Sequence, residues 1–138
     1  MIAQRSTAVA GRSHVEGFFD AATCTVSYVV SDVATGSAAV IDPVLDYDFR
    51  TGRTGSRSAD RILRYLEECG LKVAWILETH AHADHLSAAQ YLRERVGGCV
   101  AIGEPIREVQ LLFKNIYNFE ECFSPDGGQF DHVFRGGE

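Results

Sequence analysis

The chain has 138 residues, 46% of them apolar and 23% charged, and its 13 basic and 19 acidic side chains leave a net charge of −6. That length suits one domain with a sizeable core, and the composition is that of a soluble globular protein. The acidic balance excludes a general nucleic-acid surface, and no apolar run approaches the ~20 residues that a membrane-spanning helix needs.

Met1–Ser13 carries Arg5 and Arg12, no acid, and no apolar core of a secretory signal. Residues 1–14 are read as a flexible tail and residues 15–138 as the domain. Val15–Phe19 is expected as a first strand. Cys24–Ser31, rich in Val, Thr and Tyr, is a second. Thr35-Gly36 marks a hairpin turn before a third strand, Ala38–Ile41, which Asp42-Pro43 ends. These three predict an antiparallel meander.

Asp46–Arg57 reads as a solvated polar loop. It is no phosphate-binding loop, although Arg50, Arg53 and Arg57 would suit an anionic substrate. A helix is expected from Ser58 as N-cap, with Ala59, Ile62, Leu63 and Leu66 as its apolar face and Gly70 as its stop. Val73–Glu78 predicts a buried strand. Leu86, Ala89, Tyr91, Leu92 and Val96 have helical spacing up to Gly97-Gly98. Cys99–Ile102 predicts another buried strand. Pro105 opens a helix through Ile106, Val109 and Leu112. Residues 116–123 read as irregular, Ser124–Gly128 as a turn, and Phe130, Val133 and Phe134 as packing inward. The sum is an α/β chain with a mixed sheet flanked by helices.

The four cysteines, at 24, 69, 99 and 122, form no Cys-x-x-Cys pair. Their spacing favours reduced thiols and a cytoplasmic setting, with Cys69 and Cys99 expected as small core residues.

Between the strand and the helix lies Thr79-His-Ala-His-Ala-Asp-His-Leu86. It holds three of the five histidines and one aspartate within six positions: His80, His82, Asp84 and His85. Two imidazoles two residues apart on an extended segment point the same way and reach one ion. Imidazole and carboxylate donors suit zinc, iron(II) and related divalent metals. Asp84 as a helix cap would explain an aspartate here but not three histidines. His14 and His132 lack a second donor at ligand spacing and are not read as ligands.

His-x-His-x-Asp-His after an apolar strand resembles the signature of the metallo-β-lactamase superfamily. The wider wording Glu78-Thr-His-Ala-His-Ala-Asp-His-Leu-Ser-Ala-Ala89 is similar to that of the persulfide dioxygenases and of the bacterial β-lactamase-like hydrolases grouped with them. So are Ser27-Tyr-Val-Val30, Ala39-Val-Ile-Asp-Pro-Val44 and Ser58-Ala-Asp-Arg-Ile-Leu63. The likeness runs from about Val15 to the end.

The resemblance implies an αββα sandwich of two similar halves with the metal site between them. This chain corresponds to the first half. The later histidines and the bridging aspartate of the second half have no counterpart here, so the chain is expected to be the N-terminal part of a longer enzyme. An uncovered sheet face then predicts self-association into a homo-oligomer. The resemblance further implies that His80, His82, Asp84 and His85 serve the metal site. Asp42, by itself readable as a turn residue, would support the histidine loop without binding metal.

Two chemistries follow from the resemblance. In one, iron(II) is held by two histidines and a carboxylate, with His80 as one ligand, and glutathione persulfide is oxidised to sulfite. In the other, zinc binds all four motif residues and generates hydroxide for a thioester, lactam or ester carbonyl, with Asp84 orienting the water. A third expectation is that this stretch alone has little or no turnover and acts only as a structural or interaction fragment.

Overall fold

The computed structural model describes residues 12–138. Most of the expected tail therefore lies outside the described residues, and the first strand, β1 (Ser13–Asp20), already covers the last two of its fourteen positions. β2 (Thr25–Asp32) and β3 (Ser37–Ile41) complete the antiparallel meander. Its last turn needs Gly36, which holds φ at 70°.

The chain then leaves the sheet for β4 (Val44–Asp48), β5 (Arg53–Gly55) and α1 (Arg57–Glu68), and returns as β6 (Lys72–Glu78) parallel to β3. After a two-residue strand, β7 (Leu86–Ser87), α2 (Ala89–Val96) leads to β8 (Cys99–Gly103). α3 (Ile106–Tyr117) then leads to β9 (His132–Phe134). The main sheet runs β1-β2-β3-β6-β8-β9, and a small sheet runs β5-β4-β7. The chain is thus a mixed sheet flanked by helices.

Strand alternation gives the main sheet two unlike faces. Val29, Ala38, Val40, Ile76 and Val100 meet Ala59, Ile62 and Leu66 of α1 and Ala89 and Leu92 of α2 in one buried core. On the opposite face Val15, Phe19 and Tyr28 are exposed. The Trp75 and Phe134 rings pack there, 5.4 Å apart.

Several sequence expectations are corrected. Asp46–Arg57 is a hairpin, not a loop, because β4 and β5 pair through Asp46 and Gly55, Tyr47 and Thr54, and Asp48 and Arg53. Ser58 lies inside α1 and does not cap it: its N–H and Oγ both donate to Asp46, at 2.9 and 2.7 Å, while Ser56 holds the N-cap position. Leu86 belongs to β7, which pairs with β4, so the second helix starts only at Ala89. Cys69 and Cys99 are exposed: one ends α1 and the other opens β8 before that strand enters the core. α3 buries only Ile106 and leaves Leu111, Leu112, Ile116 and Tyr117 exposed, and it runs past the expected start of the irregular stretch.

Leu92 is fully buried where α2 meets the sheet. Leu92→Ala is expected to cost about 2–5 kcal/mol of unfolding free energy, because the cavity left behind adds to the lost burial. Urea denaturation checks this, and a loss under about 1 kcal/mol would show that the α2 contact is not part of the core.

Candidate metal centre

β3 and β6 are parallel neighbours, so their carboxyl ends lie side by side, the place where open α/β sheets build sites. Asp42 follows β3 and Thr79 follows β6. The Asp42 N–H donates to the Leu77 carbonyl at 2.9 Å, which extends the ladder by one bond beyond the last strand pair. Asp42 then turns with φ at 49°, a left-handed backbone that aspartate tolerates better than most residues. That turn aims its carboxylate across the strand ends. Oδ1 accepts the Thr79 N–H at 2.7 Å, and Oδ2 accepts the Thr79 hydroxyl at 2.7 Å. At its far end the histidine loop is fixed by β7 and by the Ala88 N–H, which donates to the Pro43 carbonyl at 2.8 Å.

The three imidazoles lie in series with their planes tilted, by 54° and then 32°. Ring centroids are 4.3 Å apart for His80 and His82, and 4.1 Å apart for His82 and His85. Each ring spends one nitrogen on the protein. The Thr79 hydroxyl has given its only proton to Asp42, so it accepts from His80 Nδ1 at 2.8 Å. His82 Nε2 meets Asp42 Oδ1 at 2.9 Å, and His85 Nδ1 meets the Leu86 carbonyl at 3.0 Å. The second nitrogens of His82 (Nδ1) and His85 (Nε2) are buried with no hydrogen-bond partner. A buried, unpaired imidazole lone pair is costly unless something accepts it, and a ring held through its other N–H is the usual arrangement of a metal ligand. Asp84 stands beside them, with Oδ1 3.6 Å from His82 Nδ1. Donor atoms of His80, His82 and Asp84 lie within 4.8 Å of one another. The residues present therefore fit a divalent cation.

Sequence reasoning missed the partners that hold these groups. The Thr25 hydroxyl donates to Asp84 Oδ2 at 3.0 Å, which, with the nearby imidazoles, holds the exposed Asp84 carboxyl below its ordinary pKa. Glu78 is buried behind His82, with Oε2 3.0 Å from His82 Nε2, although that N–H is directed at Asp42. Burial and the neighbouring Asp42 charge raise the Glu78 pKa to about 7, against the opposing pull of the Ser87 hydroxyl bonded to it. Asp42, Glu78 and His82 also form a second group of donors close enough for one ion. Only Asp42 was singled out in the sequence. Thr25 comes from a strand 59 positions away, and Glu78 read as the last residue of a buried strand. His132 pairs with Glu138 at 3.0 Å and His14 lies 3.8 Å from Glu16, both away from this cluster.

The sequence model of the metallo-β-lactamase superfamily matches residues 23–114. The chain belongs to the metallo-β-lactamase superfamily. It is 51% identical over 124 residues to the "Probable metallo-hydrolase" of Burkholderia pseudomallei, covering 90% of this chain and 42% of that protein. It is 32% identical over 84 residues to the mitochondrial persulfide dioxygenase ETHE1 of mouse, covering 61% of this chain and 29% of that protein. Among solved structures, ETHE1 from Myxococcus xanthus superposes with a TM-score of 0.54 at 34% identity, over 64% of this chain and 34% of that one. The chain thus spans less than half the length of these relatives. The superfamily is one of metal-ion enzymes.

Asp42→Asn keeps the size and the tolerance for positive φ but removes the charge that orients His82 and Thr79. It is expected to weaken zinc binding about 10- to 100-fold in a competitive chelator titration. Unchanged affinity would mean that the loop holds its shape without Asp42.

Proposed function

We propose that this chain carries the metal-binding loop of a persulfide dioxygenase that converts glutathione persulfide, dioxygen and water into sulfite and glutathione. The supporting observation is the unequal engagement of the cluster. His82 is held between Asp42 and Glu78, and Asp84 is held by Thr25. His80 is exposed and is held by the neutral Thr79 hydroxyl, where His82 is held by a carboxylate. In this reading His80 binds iron(II), and His82, Asp84 and His85 orient and tune the site. The iron, when bound, supplies a place where dioxygen and a sulfur substrate meet. The chain's own residues do the rest: Asp42 and Thr79 set the plane of the His80 ring, and Asp84 offers a carboxylate beside it. The persulfide dioxygenase relative and the wording of the motif from Glu78 to Ala89 point the same way.

A second reading, zinc-dependent hydrolysis of a thioester or related carbonyl, is favoured by the unpaired nitrogens of His82 and His85, which complete a donor set of four. Asp84 would then orient the attacking water.

Protein purified without chelators separates the two. The first reading expects about one iron per chain by elemental analysis and dioxygen uptake with glutathione persulfide. Zinc with thioester cleavage would replace it by the second. His80→Ala is expected to lower the metal content about tenfold or more in either case. A chain without metal in both forms would overturn both readings.

A further inference from the structure

Glu78 ends β6 inside the protein, and only one of its carboxylate oxygens has a hydrogen-bond donor. The Ser87 hydroxyl donates to Oε1. Oε2 is buried and has no hydrogen-bond partner among the described residues, on a side chain only 6% exposed. It lies 3.0 Å from His82 Nε2, but the one proton on that nitrogen is directed at Asp42 Oδ1, 2.9 Å away. One N–H thus faces two carboxylates. A buried carboxylate oxygen left without a donor is costly, and the donor group of His80, His82 and Asp84 makes no use of it.

The atoms around that oxygen have the spacing of ligands that share an ion. Two ligand atoms about 2.1 Å from a metal stand about 3 Å apart when they meet it at a right angle. His82 Nε2 is 2.9 Å from Asp42 Oδ1 and 3.0 Å from Glu78 Oε2, and donor atoms of the three residues all lie within 4.8 Å of one another. The two carboxylates are also fixed beforehand. Thr79 holds Asp42 at the end of β3 through its N–H and its hydroxyl, and Ser87 holds Glu78 at the end of the neighbouring parallel strand β6. All three side chains are largely shielded from water. Two ionised carboxylates match the charge of one divalent ion, which the shared proton of a neutral ring does not. Two carboxylate oxygens and one imidazole suit zinc or manganese(II).

We propose that Asp42, Glu78 and His82 form a second, buried cation site behind the donor group of His80, His82 and Asp84. His82 belongs to both groups and turns a different nitrogen to each, Nε2 to the two buried carboxylates and Nδ1 to Asp84. A divalent ion at Nε2 takes the place of the ring proton, which passes to Nδ1 on the Asp84 side. One neutral ring therefore serves one ion at a time, and the two groups compete for His82. The buried group gives up the bond from His82 to Asp42 when it fills, so it is the weaker of the two and takes up zinc only when zinc is added. The site stands on this geometry alone and holds whichever reaction the exposed group supports.

Zinc titration of metal-stripped protein against a chromophoric chelator tests this without turnover. His80→Ala removes a donor of the exposed group, and this variant is expected still to take up about one added zinc per chain. Glu78→Gln in the same background should weaken that zinc about tenfold or more, because the amide keeps the size and loses the charge. In the otherwise unchanged chain, Glu78→Gln should leave the tighter zinc of the exposed group nearly as it was. Imidazole ¹⁵N NMR of the His80→Ala chain gives a second readout that needs no change at the buried carboxylate. Added zinc should move the His82 Nε2 signal, with the proton found on Nδ1. Zinc on Nδ1, equal zinc affinity with and without Glu78→Gln, or no zinc uptake by the His80→Ala chain would each overturn the proposal and make Glu78 a support of the His82 ring only.

Discussion

The carboxylate of Asp42 is the constraint on which the site depends. It sits at the end of one strand and receives the Thr79 N–H, the Thr79 hydroxyl and the His82 ring from the end of the next. Those bonds convert sheet register into side-chain geometry. Thr79 in turn sets the His80 tautomer, so one carboxylate orders two imidazoles. The cost is a left-handed backbone at a residue with a Cβ, followed at once by a proline that cannot extend the ladder. A rigid sheet beneath makes that strain tolerable. Burial raises the pKa of Glu78, and the same carboxylate adds to the rise, because two acids around one imidazole cannot both ionise cheaply. Negative charge gathered around three rings with unpaired nitrogens is an environment that a divalent cation offsets.

The fold divides labour between its two sheets. The main sheet, backed by α1 and α2 on one face, holds the histidines in place through the ends of β3 and β6. The small sheet does something different: β4 pairs with β7 and so ties the far end of the histidine loop, and β4 and the turn after it carry Tyr47 and Phe49 beside the loop, with β5 folded back on β4. The histidines thus stand on the stiff element and the exposed aromatics Tyr47 and Phe49 on the outlying one. That arrangement lets the hairpin vary without disturbing the metal donors. The exposed aromatic face around Tyr28, Trp75 and Phe134 takes no part in this division, since it lies on the side of the sheet away from α1 and α2.

The candidate donors were legible in the sequence because they are contiguous: His80, His82, Asp84 and His85 stand out by residue type and spacing, and the apolar run before them places them at a strand end. The meander, the parallel strands and the buried faces of α1 and α2 were legible for the same reason, since each rests on a local period. What was hidden came from long-range pairing. The Asp46–Arg57 stretch is polar and glycine-rich, and only its register against itself makes it a hairpin. Leu86 has helical spacing with Leu92, but the partner strand β4 captures it first. Ser58 has the chemistry of a cap and instead serves Asp46. Cys69 and Cys99 lie in apolar patterns at element ends, where period alone does not distinguish buried from exposed positions.

The same loop supports both an iron and a zinc reading, and the reason lies in its hydrogen bonds. Each ring gives one nitrogen to the protein and keeps the other, and the nitrogens kept by His82 and His85 differ: Nδ1 in one and Nε2 in the other. The loop therefore offers donors from different sides of its rings, and nothing in the ring orientations alone selects one ion over two. Selection falls to how strongly each donor is already held. Asp84 is bonded to Thr25 through Oδ2 and His82 to Asp42 through Nε2, each keeping a second donor atom, whereas the exposed His80 is held only by the neutral Thr79 hydroxyl. Loosening Thr25 from Asp84 would release a carboxylate and shift the balance toward a fuller donor set. The hydroxyl of Thr25, remote in sequence and outside the motif, thus governs how freely the Asp84 carboxylate joins the imidazoles around it.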